Sequence, residues 1–246
     1  MNKIFTAIEM EFKSLRIFWL QLFIVVFVLP FSYAFIVLVS GNLQVSSLNY
    51  LLSGYIVSTL ISTFINMLGL RITNIRQQEA LELYSTYAIP FPSIIISVCL
   101  SYFLITLPII LIVLGYVVAT AQSVNWFFLI CGMLLTIVFL LLISVYLGLA
   151  MKNLFIANGL FQIITWALIL LAPIYYSLEP LNPIFRGILL INPVSHLLNL
   201  LRTPLGFESS VNLVYSYSSY IVLLSILAFG YVSKRINSTH ILEKIF

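Results

Sequence analysis

The sequence has no aspartate, and Asp plus Glu together number seven in 246 residues. Charged residues are 7% of the chain, against roughly 25% in a soluble domain. There are two histidines, His196 and His240, and two cysteines, Cys99 and Cys131. With no Asp, no clustered His and no Cys-x-x-Cys, the chain offers neither a paired-Asp site nor a zinc-ligand spacing. Ser195 and His196 are adjacent and point in different directions, so they do not form a hydrolytic dyad. Both cysteines lie within apolar runs and read as small packing residues. No GxxxxGK[ST] stretch is present, so nothing here cradles the phosphates of ATP. The net charge of +4 is not a nucleic-acid footprint, because the cations do not cluster on a polar domain.

Apolar sequence fills the space that charge leaves. Hydrophobic residues are 62% of the chain and the mean hydropathy is +1.16. Runs near the roughly 20 residues that cross a bilayer recur along it. The expectation is an all-α polytopic membrane protein, one transmembrane domain over residues 1–246.

Residues 1–16 carry Ile4, Phe5, Ile8, Phe12 and Leu15 at helical spacing and predict an amphipathic helix in the interface plane. A plain extension of the first span is the alternative. The N-terminus does not read as a cleavable signal, since its apolar run is too long and no small-residue site follows. Spans are expected at 17–39, 50–70, 91–118, 126–151, 154–177 and 211–233. Pro30 should kink the first, and residues 40–49 form a polar turn. Span two carries Ser53, Gly54, Ser58, Thr59, Ser62, Thr63 and Asn66, which suit a protein-facing wall. Span five carries Asn158, Gln162 and Thr165 about one turn apart. Asn66, Asn158 and Gln162 are candidates for a path or a seam between subunits, with packing hydrogen bonds the plainer role.

Between Ile17 and Met151 the only charged residues are Arg71, Arg76, Glu79 and Glu82. Each would cost about 2.5–3.5 kcal/mol at mid-bilayer, so this island belongs in water. Residues 74–87 contain no Gly or Pro and predict a short helix. Arg76 and Glu79, at i and i+3, can attract. Leu81, Tyr84 and Ala88 make an apolar stripe on it, and Arg71 reads as a snorkelling anchor. A solvated loop would satisfy the same charges.

The pattern changes at residues 180–204. Two apolar runs too short to span flank Asn192-Pro193, an N-cap followed by Pro at the first helical position. This predicts two half-helices that dip in and return. Glu179, Arg186, His196, Arg202 and Glu208 lie around them. His196 reads as an interfacial polar residue, and Arg202 and Glu208 as helix-end anchors or gate contacts.

Nine cations (Lys3, Lys13, Arg16, Arg71, Arg76, Lys152, Lys234, Arg235, Lys244) fall on one side of a six-span topology, and Arg186 and Arg202 on the other. Positive charge marks the cytoplasmic side. Both termini and the charged island are therefore expected in the cytoplasm of a cell-membrane protein, and the half-helices outside.

With this layout the chain resembles the permease subunit of ABC-2-type exporters. Asn192 to Arg202 (NPVSHLLNLLR) is similar to the family's Asn-Pro element before the last span. Arg76, Leu81 and Glu82 match an Arg/Glu-rich cytoplasmic stretch in which Glu79 and Ala80 replace the family's Gly-Thr. Tyr87 and Ala88 replace its Thr-Pro, with Pro90 slightly displaced. The resemblance implies a dimer of permeases working with two separate ATPase subunits, which carry the ATP and magnesium. It makes the helix over 74–87 a coupling helix, with Arg76, Gln77, Glu79, Leu81, Glu82 and Tyr84 as its contacts. It makes Asn192, Pro193, His196 and Arg202 the re-entrant or gate element. No cofactor and no catalysis are expected in this chain. The expected cargo is amphipathic: a drug, a peptide antibiotic, a lipid or a lipid-linked glycan, with a polysaccharide or teichoic-acid-type exporter as the alternative. A secondary transporter needs ionisable groups within its spans, and an intramembrane enzyme needs acids or histidines; neither set is present.

Overall fold

The computed structural model describes residues 3–17, 19–28, 31–32, 35, 45–86, 89–121, 123–174, 176, 182–207 and 211–237. The described residues are helical, without a strand. Several expectations lie outside them: Pro30 and the end of the first span, residues 40–44, Tyr87 and Ala88, Glu179, Pro180, Glu208 and the tail after Asn237.

The described helices are centred on one long, buried helix. Val45–Ile61, Ser62–Leu68 and Gly69–Ile75 follow one another without a break (α3), the middle segment wound as a π-helix. Within its membrane-length stretch, Leu48–Ile75, an apolar window of 18 residues is 94% buried. The small and polar residues explain this position. Ser53, Ser58 and Thr59 turn their hydroxyls back onto Tyr50 and Tyr55 carbonyls of the same helix. Their outer surface is thereby apolar and thin enough for neighbours to approach closely.

Around α3 stand Phe91–Thr120 (α5), Trp126–Ala150 (α6) and Leu154–Leu170 (α7), the short helix Gln78–Thr86 (α4) joining α3 to α5. Lys3–Ile17 (α1) lies against α5, followed by Trp19–Phe23 and the π turn Ile24–Val28 (α2). Pro183–Ile191 (α8) and Pro193–Arg202 (α9) precede Val211–Asn237 (α10), which packs along α6. Four helices among the described residues are long and apolar enough to cross a membrane: Leu48–Ile75, Phe91–Thr120, Trp126–Ala150 and Tyr217–Ile236. The fold is thus that of a helical membrane protein with four or five such elements, the fifth being the bent α8–α9 pair taken as one.

Three boundaries differ from the expectations. The helix of span two begins at Val45 rather than Tyr50. Span five ends at Leu170, not Ser177, because Ala172 and Pro173 turn the chain away. Its 17 residues rise about 25 Å, short of the roughly 30 Å hydrocarbon core. The helix predicted over 74–87 starts only at Gln78, since Asn74 and Ile75 still belong to α3 and Arg76 caps it. Pro108, by contrast, leaves α5 continuous.

Two glycines show how closely α3 is held. A Cβ on Gly148 of α6 would stand 2.7 Å from Ile72 Cβ and 2.8 Å from the Gly69 carbonyl. One on Gly54 would collide with the carbonyl of Ile174. Gly148→Ala should therefore cost about 1–3 kcal/mol by overpacking. A thermal melt in detergent checks this, with Gly159→Ala, whose Cβ would meet nothing within 4 Å, as the silent control.

Candidate functional site

The charged island and the N-terminal helix meet on one carboxylate. Glu11 sits on the face of α1 that buries Ala7 and Leu15, four residues either side, while Phe5 and Phe12 are exposed. The buried stripe is thus rotated from the Ile4–Phe5–Ile8–Phe12–Leu15 face read from sequence. It meets α5, whereas the exposed phenylalanines are left for the apolar phase. Arg71, in the last turn of α3, reaches Glu11 with two bonds, Nε to Oε2 at 3.0 Å and Nη2 to Oε1 at 2.9 Å. The Glu11 side chain is 1% exposed. Such a two-point fork is the strong form of the Arg–carboxylate pair. Tyr84 of α4 donates its hydroxyl to the same Oε1. Burial, then the Glu11 carboxylate, push the Tyr84 phenol up from its ordinary pKa, so it remains a donor. Arg71 is therefore an internal joint and not the snorkelling anchor expected.

The residues expected on the coupling helix fall into three groups. Leu81 and Tyr84 are buried against the bundle and hold α4 in place. Arg76 and Gln77 are in the turn before α4 and grip the far side of the bundle. Arg76 Nη1 donates to the carbonyls of Leu149 and, at 2.9 Å, Met151. Gln77 Nε2 lies 3.4 Å from the carbonyl of Lys152. These are carbonyls at and just beyond the C-terminal end of α6, where a cation is favoured. Arg76 is thus no partner of Glu79, as its i, i+3 spacing suggested, because the helix does not include it. Glu79 and Glu82 are exposed on α4, as are Gln78 and Thr86, and Glu82 accepts from Gln78 at 3.0 Å.

The other end of α3 carries the second constellation. Pro183–Ile191 and Pro193–Leu205 meet at 92°, and the bend is at Asn192, where the sequence placed a break. Asn192 caps α9 by accepting from Val194 N at 3.0 Å, and its Nδ2 donates to Leu168 O of α7 at 3.1 Å. Three successive carbonyls at the end of α8 are each met by a side chain. Ser195 Oγ donates to Leu189 at 2.6 Å, His196 Nε2 lies 2.7 Å from the Leu190 oxygen, and Tyr220 hydroxyl donates to Ile191 at 3.2 Å. The His196 ring also packs on Tyr217 and Tyr220. Pro193 supplies the fixed φ of the first turn. Asn192→Ala removes both bonds of the elbow and should cost about 0.5–2 kcal/mol, the usual loss of an N-cap. The melting temperature reads it, and Asn192→Ser should recover most of the loss.

Arg202 is 0% exposed, a correction to its placement as a surface anchor or gate contact. Its guanidinium donates to the Pro173 and Ile174 carbonyls at 2.7 Å each, to Ser53 Oγ at 3.1 Å and to Tyr50 O at 3.4 Å. It also lies 3.5 Å over the Tyr50 ring. The turn after α7 thus has its free carbonyls satisfied by an arginine from α9, against α3. The two arginine sites stand about 30 Å apart along α3, at 1.5 Å per residue.

The seam residues do not come together as one set. Asn66 is buried in the π segment. Asn158 and Gln162 face outward on α7 and bond to each other at 3.4 Å. They share that face with Phe155, Ile163 and Trp166, all exposed. Glu11 was missed from sequence; the four-residue spacing Ala7–Glu11–Leu15 was its only signal. Among the described residues no group of His, Cys, Asp or Glu is placed to hold a metal. No protein-family model and no curated protein matches the chain.

Proposed function

We propose that the chain is the membrane-spanning permease subunit of an ATP-driven exporter of the ABC-2 type. In this reading it crosses the cell membrane six times with both termini in the cytoplasm. It pairs with a second permease, and two cytosolic ATPase subunits drive it. The observation that carries the reading is the mounting of α4. One short polar helix is bolted through Tyr84 to Glu11 and Arg71, so it cannot shift without moving α1 and the most buried helix of the fold. Glu79 and Glu82 are exposed on it, on the face a soluble protein would meet. Force applied there passes into α3 and along it toward the Arg202 site. The exposed apolar surface at the far end of α7, Trp166 and Leu170, is the surface for the second permease. The cargo is an amphiphile, a drug, peptide antibiotic or lipid; a glycan exporter of the teichoic-acid type is the alternative within the same class.

The test is co-purification with a cytosolic Walker-type ATPase, followed by ATP hydrolysis in proteoliposomes. Glu79→Lys with Glu82→Lys should lower coupled hydrolysis about tenfold, the equivalent of about 1.4 kcal/mol at an interface. Insertion and melting temperature should be unchanged, since both side chains are exposed. Unaltered hydrolysis in that double variant, or cargo movement driven by an ion gradient without ATPase, would sink the proposal.

A further inference from the structure

Beside the Arg71 joint lies a cavity of about 240 Å³ between the end of α3, α5 and the start of α7. Leu70 and Phe155 are among its apolar walls, and Arg71, Asn74, Tyr102 and Asn158 its polar lining. Each polar residue has donor capacity unspent. Arg71 commits Nε and Nη2 to Glu11 and Tyr84, which leaves Nη1 without a partner among the described residues. The Asn74 amide and the Tyr102 hydroxyl make no side-chain hydrogen bond among them, and Asn158 only accepts, through Oδ1, from Gln162. Four donors and no carboxylate line one small space; Glu11, the carboxylate nearest in bonding, is already satisfied by Arg71 and Tyr84. Such a lining suits a group rich in acceptor oxygens. The volume is below the roughly 300–1,000 Å³ of a whole drug-sized pocket, so it admits a head group and leaves a chain outside. The exposed Phe155, Ile156 and Ile163 of α7 provide the surface along which a chain can lie.

We infer that this cavity binds the phosphodiester head of an amphiphile, with the two non-bridging oxygens accepting from Arg71 Nη1, Tyr102, Asn74 and Asn158 while the acyl chain runs along α7. Charge selects the class. Glu11 occupies Nε and Nη2 of Arg71, which remains the one charged residue lining the cavity, so the site pairs a single phosphate charge where a pyrophosphate would bring more charge than it meets. The inference rests on the exporter reading only in making this amphiphile cargo; binding itself stands apart from it.

The experiment measures binding to the purified permease alone, without ATPase or nucleotide. The probes are lysophosphatidylglycerol carrying a fluorescent acyl chain and monoacylglycerol with the same chain. The phosphate-bearing probe should bind at least about tenfold tighter, the worth of one charge-assisted hydrogen bond. Tyr102→Phe and Asn158→Leu should each reduce that ratio severalfold while leaving monoacylglycerol binding as it was. Equal binding of the two probes to the unaltered protein would overturn the inference, whatever the variants do. Inorganic phosphate that displaces the lysolipid at equal concentration would assign the site to the free anion and overturn it too. If binding behaves as expected while no ATPase couples to the chain, the exporter reading falls and the site remains.

Discussion

Glu11→Ala should destabilise the fold by about 3–5 kcal/mol, the loss expected when one member of a buried ion pair is removed. The carboxylate is 1% exposed and the Arg71 side chain 19% exposed, so water reaches the guanidinium only from the cavity side and does not take the place of Glu11 between α1 and α3. The guanidinium would then face Tyr84, which offers one oxygen where Glu11 offered two. A thermal melt in detergent should show the loss. The double variant Glu11→Leu with Arg71→Met should be much less harmed, because replacing both members of a buried pair with apolar groups is often neutral. That double variant separates two roles. It should restore stability and, if the exporter proposal holds, leave coupled ATP hydrolysis impaired, since α4 would be held by packing alone. Full stability in the single variant would mean that the pair is peripheral to the fold.

Arg202→Met should be comparably damaging, by about 3–5 kcal/mol. Here the lost partner serves backbone carbonyls, and each buried polar group left unsatisfied costs about 1–3 kcal/mol. Pro173, Ile174 and Tyr50 would all lose a donor, as would the ring of Tyr50 its cation. Arg202→Lys keeps the charge but not the fork, so it should recover only part of the loss. Correctly inserted yield and melting temperature are the readouts. A methionine variant melting within a degree or two of the parent would mean that the turn after α7 is held by packing instead.

The contrast between these arginines shows what the sequence could disclose. The apolar runs, the N-cap role of Asn192 and the charged island were legible, because periodicity and the cost of burying charge act locally. The partners of the charges were not. Arg71, Arg76 and Arg202 all stand at or just past helix ends, where a snorkelling anchor is the economical reading. Each instead reaches an element at least 28 residues away in the chain: Glu11, the end of α6, and the turn after α7. Nothing in spacing along a single sequence encodes those meetings. The orientation of α1 failed for a related reason. Its aromatic residues mark a lipid-facing side, and hydrophobicity alone does not distinguish lipid from a protein interior. Span five was drawn too long because Ala172-Pro173-Ile174 is apolar enough to continue a hydropathy run, while its backbone turns toward Arg202.

The π stretch Ser62–Leu68 lies between the two arginine sites and is wholly buried. A π turn accommodates one residue more than an α turn. It therefore sets the angular phase of one half of the helix against the other. Were it rewound as α, everything beyond it would swivel by about 100°, the rotation of one residue. Arg71 would turn off Glu11 while Ser53 stayed beneath Arg202. The angular setting of one end of this helix against the other is thus fixed at mid-length, inside the packing.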